Sequence, residues 1–239
     1  MAEKYQPEFA ARQEAKAGVI FDEGLRKHML RVYNYMTSGI LLTGIIAMYV
    51  GNSPAILNSI FGSGLGIVVM LAPLGFVLAM SFGLNKMKSS TLQALFWAFA
   101  GVMGLSLSTI FIQYTGASIA RVFFITAIMF GSLSLYGYTT KKSLSGWGTF
   151  LFMGLIGIII ASVVNMFMQS SAMQFIISVA GVLIFAGLTA YDTQKIKEMY
   201  YEADGSEVAS KKAIMGALTL YLDFINMFLM LLRLFGNRN

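Results

Sequence analysis

The chain has 239 residues, of which 57% are hydrophobic and 12% are charged, and its formal net charge is +6. Because soluble domains carry roughly 25% charged residues, this composition excludes an ordinary soluble protein and favours one that spans a membrane. The chain contains no cysteine, which excludes disulfide bonds and thiolate metal sites but does not identify the compartment.

The first 28 residues are charged and lack the apolar core that a cleavable signal peptide needs. We predict that residues 1–28 form a solvated cytoplasmic tail. His28, the single histidine of the chain, stands at the end of this tail beside Arg26 and Lys27. We expect its imidazole to be solvated among the lipid headgroups, and histidine-cluster metal sites are excluded.

Seven apolar segments follow, and each is about as long as the 20 residues that cross a hydrocarbon core. They lie near residues 30–50, 64–85, 91–113, 117–139, 148–169, 173–194 and 213–235. The links between the first six are short, so neighbouring helices are expected to run antiparallel. The sequence predicts an all-α integral membrane protein with a seven-helix domain over residues 29–236 and a short tail over residues 237–239.

Lysine and arginine residues alternate between the two ends of these segments. The N-terminal tail and the second, fourth and sixth links contain them, whereas the first, third and fifth links contain none, Arg121 being the nearest exception. The positive-inside rule therefore predicts a cytoplasmic N-terminus, and membrane orientation explains the charge better than nucleic-acid binding does. Seven crossings place Arg233 and Arg238 on the outer side of the membrane. If the last segment were re-entrant instead, the C-terminus would be cytoplasmic. We favour seven crossings because residues 213–235 are long enough and contain no proline.

The acidic residues are distributed very unevenly. None occurs between Glu23 and Asp192, and only Asp192 and Asp223 lie outside the N-terminal tail and the last link. An ionised carboxylate at the bilayer centre costs at least about 2.5 kcal/mol, so such a group faces protein, water or a partner, or stays protonated. For Asp192 the simpler alternative is pairing with Lys195 at the headgroups, whereas Asp223 lies about ten residues inside its span.

Helical periodicity places both acids on the more polar face of their helices. The polar positions that share these faces are Thr189 on the sixth span and Thr219, Asn226 and Arg233 on the seventh. If the two acids meet, repulsion and desolvation favour one shared proton, so the pair would titrate as a unit. Loss of that proton would create an oxygen site suited to calcium, and the pair could serve as the bistable element of a pH-gated pore.

Two stretches around these acids resemble a known family. They are "GVLIFAGLTAYDTQKIK" (181–197) and "GALTLYLDFINMFLMLLRLFG" (216–236), supported by "GLSLSTIFIQYT" (104–115) and "YGYTTKKSLS" (136–145). Over residues 25–236 the chain resembles the bacterial branch of the Bax inhibitor-1 family, also called the transmembrane Bax inhibitor motif family.

The resemblance implies six helices in hairpins around a central seventh, in a bacterial inner membrane. It implies a pH-sensitive calcium leak rather than an enzyme, with no cofactor, and with calcium ions, protons and membrane lipids as its partners. The paired aspartates of the family, its pH sensor, fall on Asp192 and Asp223. In some relatives an arginine toward the end of the second span binds this aspartate pair and acts as a latch. Here "MSFGLNKMKSS" (80–90) contains none, and Lys86 is the candidate cation.

Other functional classes remain open at this point. An intramembrane aspartyl protease also carries a Tyr-Asp pair on its sixth span, as in Tyr191-Asp192. Its second aspartate follows glycine, however, whereas here Leu222 precedes Asp223 and no Pro-Ala-Leu sequence follows. A secondary transporter and a non-conducting regulatory membrane protein are the further alternatives.

Overall fold

A computed structural model describes the backbone from Gln6 to Asn239 and the side chains from Glu23 onward. Residues 1–5, which belong to the predicted tail, lie outside the described residues. In the described part of the chain the backbone forms nine α-helices and no sheet. They are α1 (Gln6–Gly51), α2 (Pro54–Phe61), α3 (Leu65–Gly83), α4 (Ser89–Leu107), α5 (Ile110–Gln113), α6 (Gly116–Thr139), α7 (Ser145–Met168), α8 (Ser171–Glu198) and α9 (Ser206–Phe235).

These helices confirm the predicted all-α membrane architecture. Six segments of the described chain are long and apolar enough to cross a membrane, one of them made of α4 and α5 together. The seventh candidate is α1 from Glu23 onward together with α2, which are bent by 99° relative to each other. α1 begins at Gln6, so the boundary predicted at residue 28 lies inside a continuous helix. The cytoplasmic location of residues 1–28 stays a prediction.

Ordinary capping chemistry explains where several helices begin and end. Thr115 and Ser170 cap α6 and α8, because each hydroxyl accepts a hydrogen bond from a backbone N–H three residues later. α7 ends where Gln169 adopts the left-handed conformation, with φ of 51°. α2 begins with Pro54, which lacks an N–H at a position where helices leave that donor unused.

α9 is the central helix. Of its apolar stretch, 72% of the residues are buried, against 11% in α7, and it packs on α1, α4, α6 and α8. Tyr221 shows how it is held, because its ring stacks edge-on against Phe99 and its hydroxyl lies 2.6 Å from the hydroxyl of Thr43. A helix buried on all sides can carry polar groups shielded from lipid, and this is the position of Asp223.

The two ends of α9 lie at opposite ends of the helical bundle. Near its start, the Glu207 carboxylate accepts hydrogen bonds from the N–H and the hydroxyl of Ser89, which begins α4. Beyond its end, the N–H of Asn237 donates to the Ser118 hydroxyl at 2.9 Å, and its carbonyl accepts from the N–H of Thr115 at 3.0 Å. α9 therefore runs the full length of the bundle, as a crossing helix does and a re-entrant one does not.

This arrangement predicts the result of site-directed labelling. The chain has no cysteine of its own, so single cysteines can be placed at Ser143, after α6, and at Asn239, both exposed. With the cytoplasmic N-terminus that the lysine and arginine distribution predicts, a membrane-impermeant maleimide is expected in intact cells to label the Asn239→Cys variant, and to label the Ser143→Cys variant only after permeabilisation. Asn52→Cys, in the first link, is the matched control for the outer face. Labelling of residues 143 and 239 from the same side would contradict the crossing of α9.

Gly137 allows close packing of α6 on α8, as small residues do at helix contacts in membranes. A Cβ atom added there would collide with the backbone carbonyl of Ala190, whereas one added at Gly131 of the same helix meets nothing within 4 Å. Because a backbone atom cannot move aside, Gly137→Ala is expected to cost about 1 to 3 kcal/mol of stability. Gly131→Ala should be neutral or slightly stabilising. Thermal unfolding of both variants in one detergent checks this, and equal midpoints would contradict the packing.

Candidate functional site

Both predicted acids line one cavity of about 1030 Å³ enclosed by α3, α4, α7, α8 and α9. α8 and α9 pair more extensively than any other two helices of the described chain, and they carry most of the polar lining. Apolar side chains such as Phe99, Leu155 and Phe185 supply the rest of the wall. The cavity is therefore a mostly apolar chamber with its charged groups on the two most closely paired helices.

The carboxyl groups of Asp192 and Asp223 line this cavity together and interact electrostatically with each other. Asp223 is only 4% exposed, and its Oδ2 atom is buried without a hydrogen-bond partner among the described residues. Two carboxyl groups can hydrogen-bond to each other only when one of them carries a proton. The geometry thus suits a pair that holds one proton.

The two helices that carry the acids are longer than hydropathy indicates. α8 continues to Glu198, four residues past the end expected from hydropathy, and α9 begins at Ser206, seven residues before its expected start. The link between them is correspondingly short, and Asp192 lies inside a helix rather than at its edge. Hydropathy understates helix ends that are charged, because the lysines that flank a span lower its average.

Lys195 is the cation nearest to this pair along α8, one turn beyond Asp192. It lines the cavity, interacts electrostatically with Asp192, and places its Nζ atom 6.0 Å from the centre of the Tyr191 ring. It forms no salt bridge with Asp192, although both residues lie in the described chain. Lys195 therefore offsets the negative charge of the cavity without occupying the oxygens of the pair.

Three of the predicted polar positions also line the cavity, namely Thr219, Asn226 and Arg233. The Thr219 hydroxyl donates to the Met215 carbonyl at 3.1 Å, and the Asn226 amide donates to the Leu222 carbonyl at 2.8 Å. These internal bonds use donor groups and leave the side-chain oxygens as acceptors. Neutral oxygens of this kind complete the coordination of hard cations.

The structure does not bring two of the predicted residues to the cavity. Thr189 is fully buried in α8, where its hydroxyl donates to the Phe185 carbonyl at 2.8 Å. Lys86 is exposed in the turn after α3 and does not line the cavity. Its backbone N–H bonds to the Gly83 carbonyl, which closes that turn at the surface of the bundle. A latch from Lys86 to the aspartates is therefore not formed in this structure.

The expectation of a solvated His28 is wrong. Its side chain is only 8% exposed, and its ring centre lies 5.8 Å from that of Tyr200 in the link between α8 and α9. Its Nε2 atom has no hydrogen-bond partner among the described residues. The aromatic run of this link was the available signal, because "MYY" (199–201) can fold back over the part of α1 that carries His28.

The acid pair is the whole anionic content of the cavity. The described residues contain no group of three or more histidine, cysteine or acidic side chains that could hold a metal ion. A cation bound here would take two carboxylates and complete its shell with neutral oxygens and water. Calcium prefers six to eight oxygen ligands, which is more than these two carboxylates supply.

Comparison with known proteins gives consistent matches along the chain. The family model described as inhibitor of apoptosis-promoting Bax1 matches residues 25–239. The inner membrane protein YbhL of Escherichia coli (strain K12) is 49% identical over 218 residues, which cover 90% of this chain and 93% of YbhL. The uncharacterized protein RP147 of Rickettsia prowazekii is 52% identical over 218 residues, 91% of this chain and 92% of that protein.

Proposed function

The chain belongs to the Bax inhibitor-1 family, and we propose that it is a calcium leak protein of the bacterial inner membrane whose conduction is controlled by protonation of Asp192 and Asp223. The observation that carries this proposal is the meeting of two carboxyl groups from α8 and α9 in one cavity. The name of the Escherichia coli relative supports the inner membrane. The distribution of lysine and arginine supports a cytoplasmic N-terminus.

Protons and calcium compete for the same oxygens at this pair. Below neutral pH a shared proton reduces the charge of the pair and uses one of its oxygens, so calcium binding weakens as pH falls. Above the pH at which that proton leaves, two negative charges face each other in an apolar wall, and a divalent cation relieves their repulsion. Conduction requires that a calcium ion both bind to the two carboxyl groups and leave them again. The conducting protonation state is therefore the one in which the pair binds calcium only weakly.

The other charges of the cavity fit a slow leak rather than an open pore. Lys195 lies one helical turn from Asp192, and Arg233 lies ten residues beyond Asp223, about 15 Å along α9. A cation that crosses the cavity passes both of these positive charges. They reduce its local concentration and thereby limit the flux.

Calcium flux into dye-loaded liposomes that contain the purified protein tests this proposal. We expect a protein-dependent calcium signal that changes with pH between about pH 5 and 8. The absence of any signal over that range would contradict the leak and favour a non-conducting regulatory role. Cleavage of a transmembrane peptide, abolished by Asp192→Asn or Asp223→Asn, would instead favour an aspartyl protease.

A further inference from the structure

A second large cavity lies on the opposite side of α9 from the acid pair. It is a crevice of about 730 Å³ between α1 and α6, with Phe224 of α9 at its floor. α1 and α6 each pack on α9 but make little contact with each other, so the space between them is not filled by the protein. We refer to this space as the α1–α6 crevice.

The interior of the crevice is chemically apolar. Met36, Ile40 and Phe130 line it, and two of its hydroxyl groups, those of Tyr33 and Ser134, are already paired with each other. The Tyr33 hydroxyl lies 2.6 Å from that of Ser134, which in turn lies 2.9 Å from that of Thr193 on α8. The exposed Thr37 hydroxyl adds one further polar group to this otherwise apolar length, so hydrocarbon fits most of the crevice best.

One end of the crevice is basic. Arg26 lines it, is exposed, and forms no salt bridge with any described residue, because the nearby Glu23 pairs with Lys27 at 2.8 Å. Tyr138 lines the same end, and the Lys197 ammonium lies 5.3 Å from its ring centre. Among the residues whose side chains the structure describes, no acid lines the crevice. The planar fork of an arginine is a good receptor for a phosphate group.

The dimensions of the crevice match a lipid chain in one leaflet. Its lining on α1 runs from Arg26 to Leu41, which corresponds to about 22 Å along the helix. One leaflet contributes about 15 Å, half of a hydrocarbon core about 30 Å thick. The remaining length places Arg26 at the depth of the headgroups, on the side of the lysine-rich links.

We propose that the α1–α6 crevice is a binding site for an anionic phospholipid, with one acyl chain between α1 and α6 and the phosphate bound by Arg26. Basic clefts between membrane helices on the cytoplasmic side are known to take such headgroups. The volume also falls within the range of roughly 300–1,000 Å³ that is usual for small-molecule sites. This site is independent of calcium conduction and stands if the protein conducts nothing.

The test uses vesicles that contain the protein and a phosphatidylglycerol analogue with a photoreactive diazirine on its acyl chain. After illumination, labelled peptides are expected to come from the crevice walls on α1 and α6. Arg26→Gln is expected to reduce this labelling at least threefold. Lys86→Gln, which removes an exposed positive charge from the turn after α3, should leave it unchanged, because Lys86 does not line the crevice.

A second pair of variants blocks the crevice without removing charge. A Cβ atom added at Gly131, which lines the crevice, or at Gly157 on α7 meets nothing within 4 Å, so a side chain can begin at either position without a collision at its first atom. Gly131→Leu is expected to reduce labelling of α1 and α6, and Gly157→Leu should not. Equal labelling by a phosphatidylcholine analogue, or no effect of Arg26→Gln and Gly131→Leu, would show only bulk lipid in the crevice and overturn the proposal.

Discussion

Replacing Asp223 by asparagine is expected to remove the pH dependence of calcium flux and to weaken calcium binding at least tenfold. The amide keeps the shape of the side chain but supplies a neutral oxygen in place of a carboxylate, and it leaves Asp192 without an acidic partner. Tenfold corresponds to about 1.4 kcal/mol, a modest share of the interaction between a divalent cation and a buried charge. Because Asp223 is only 4% exposed, solvent cannot replace the lost charge.

Vesicle flux over a pH series and calcium binding to the purified protein measure these two effects. The matched control is Glu202→Gln, which removes an acid from the exposed link between α8 and α9. It should leave both the flux and its pH profile unchanged. Wild-type pH dependence in the Asp223→Asn variant would place the proton sensor elsewhere in the protein.

Replacing Lys195 by glutamine is expected to strengthen calcium binding by roughly three- to tenfold, because the cavity loses a cation that offsets its two acids. The effect is smaller than full Coulomb attraction would give, since Lys195 is exposed and its charge is screened. The pH dependence of flux should persist, because the acid pair is intact.

Lys86→Gln is the informative comparison for this variant. Lys86 is the cation nearest in sequence to the position where some relatives carry the arginine, yet it lies outside the cavity. We expect Lys86→Gln to leave calcium binding and flux at wild-type values. If Lys86→Gln altered calcium binding and Lys195→Gln did not, Lys86 rather than Lys195 would be the cation that offsets the charge of the acid pair. Lys86 would then have to be added to the residues that line the cavity.

The acid pair could be found from sequence because its energetic cost is large. A chain that excludes carboxylates from five consecutive spans and then places Asp192 and Asp223 on the next two makes both residues conspicuous. The fold class was predictable for a similar reason, since hydropathy alone sets the number and length of apolar segments. The bend between α1 and α2 was marked only by Pro54 and by the polar residues before it.

The features that sequence did not predict depend on how helices pack. Lys195 and Lys86 are both lysines at the ends of spans, and only the packing of α8 on α9 decides which one reaches the cavity. His28 is buried because the α8–α9 link folds over it, a tertiary contact without a periodic signal. The α1–α6 crevice is a space left unfilled between two helices, and no residue pattern marks such a gap.

Infrared difference spectroscopy of the protein with and without calcium tests most directly whether a proton and a calcium ion exchange at the aspartate pair. Near neutral pH, calcium is expected to remove a C=O band of a protonated carboxylic acid from the wild-type spectrum, and this change should be missing in the Asp192→Asn/Asp223→Asn double variant. A wild-type spectrum without such a band, or a band that calcium leaves unchanged, would contradict the exchange.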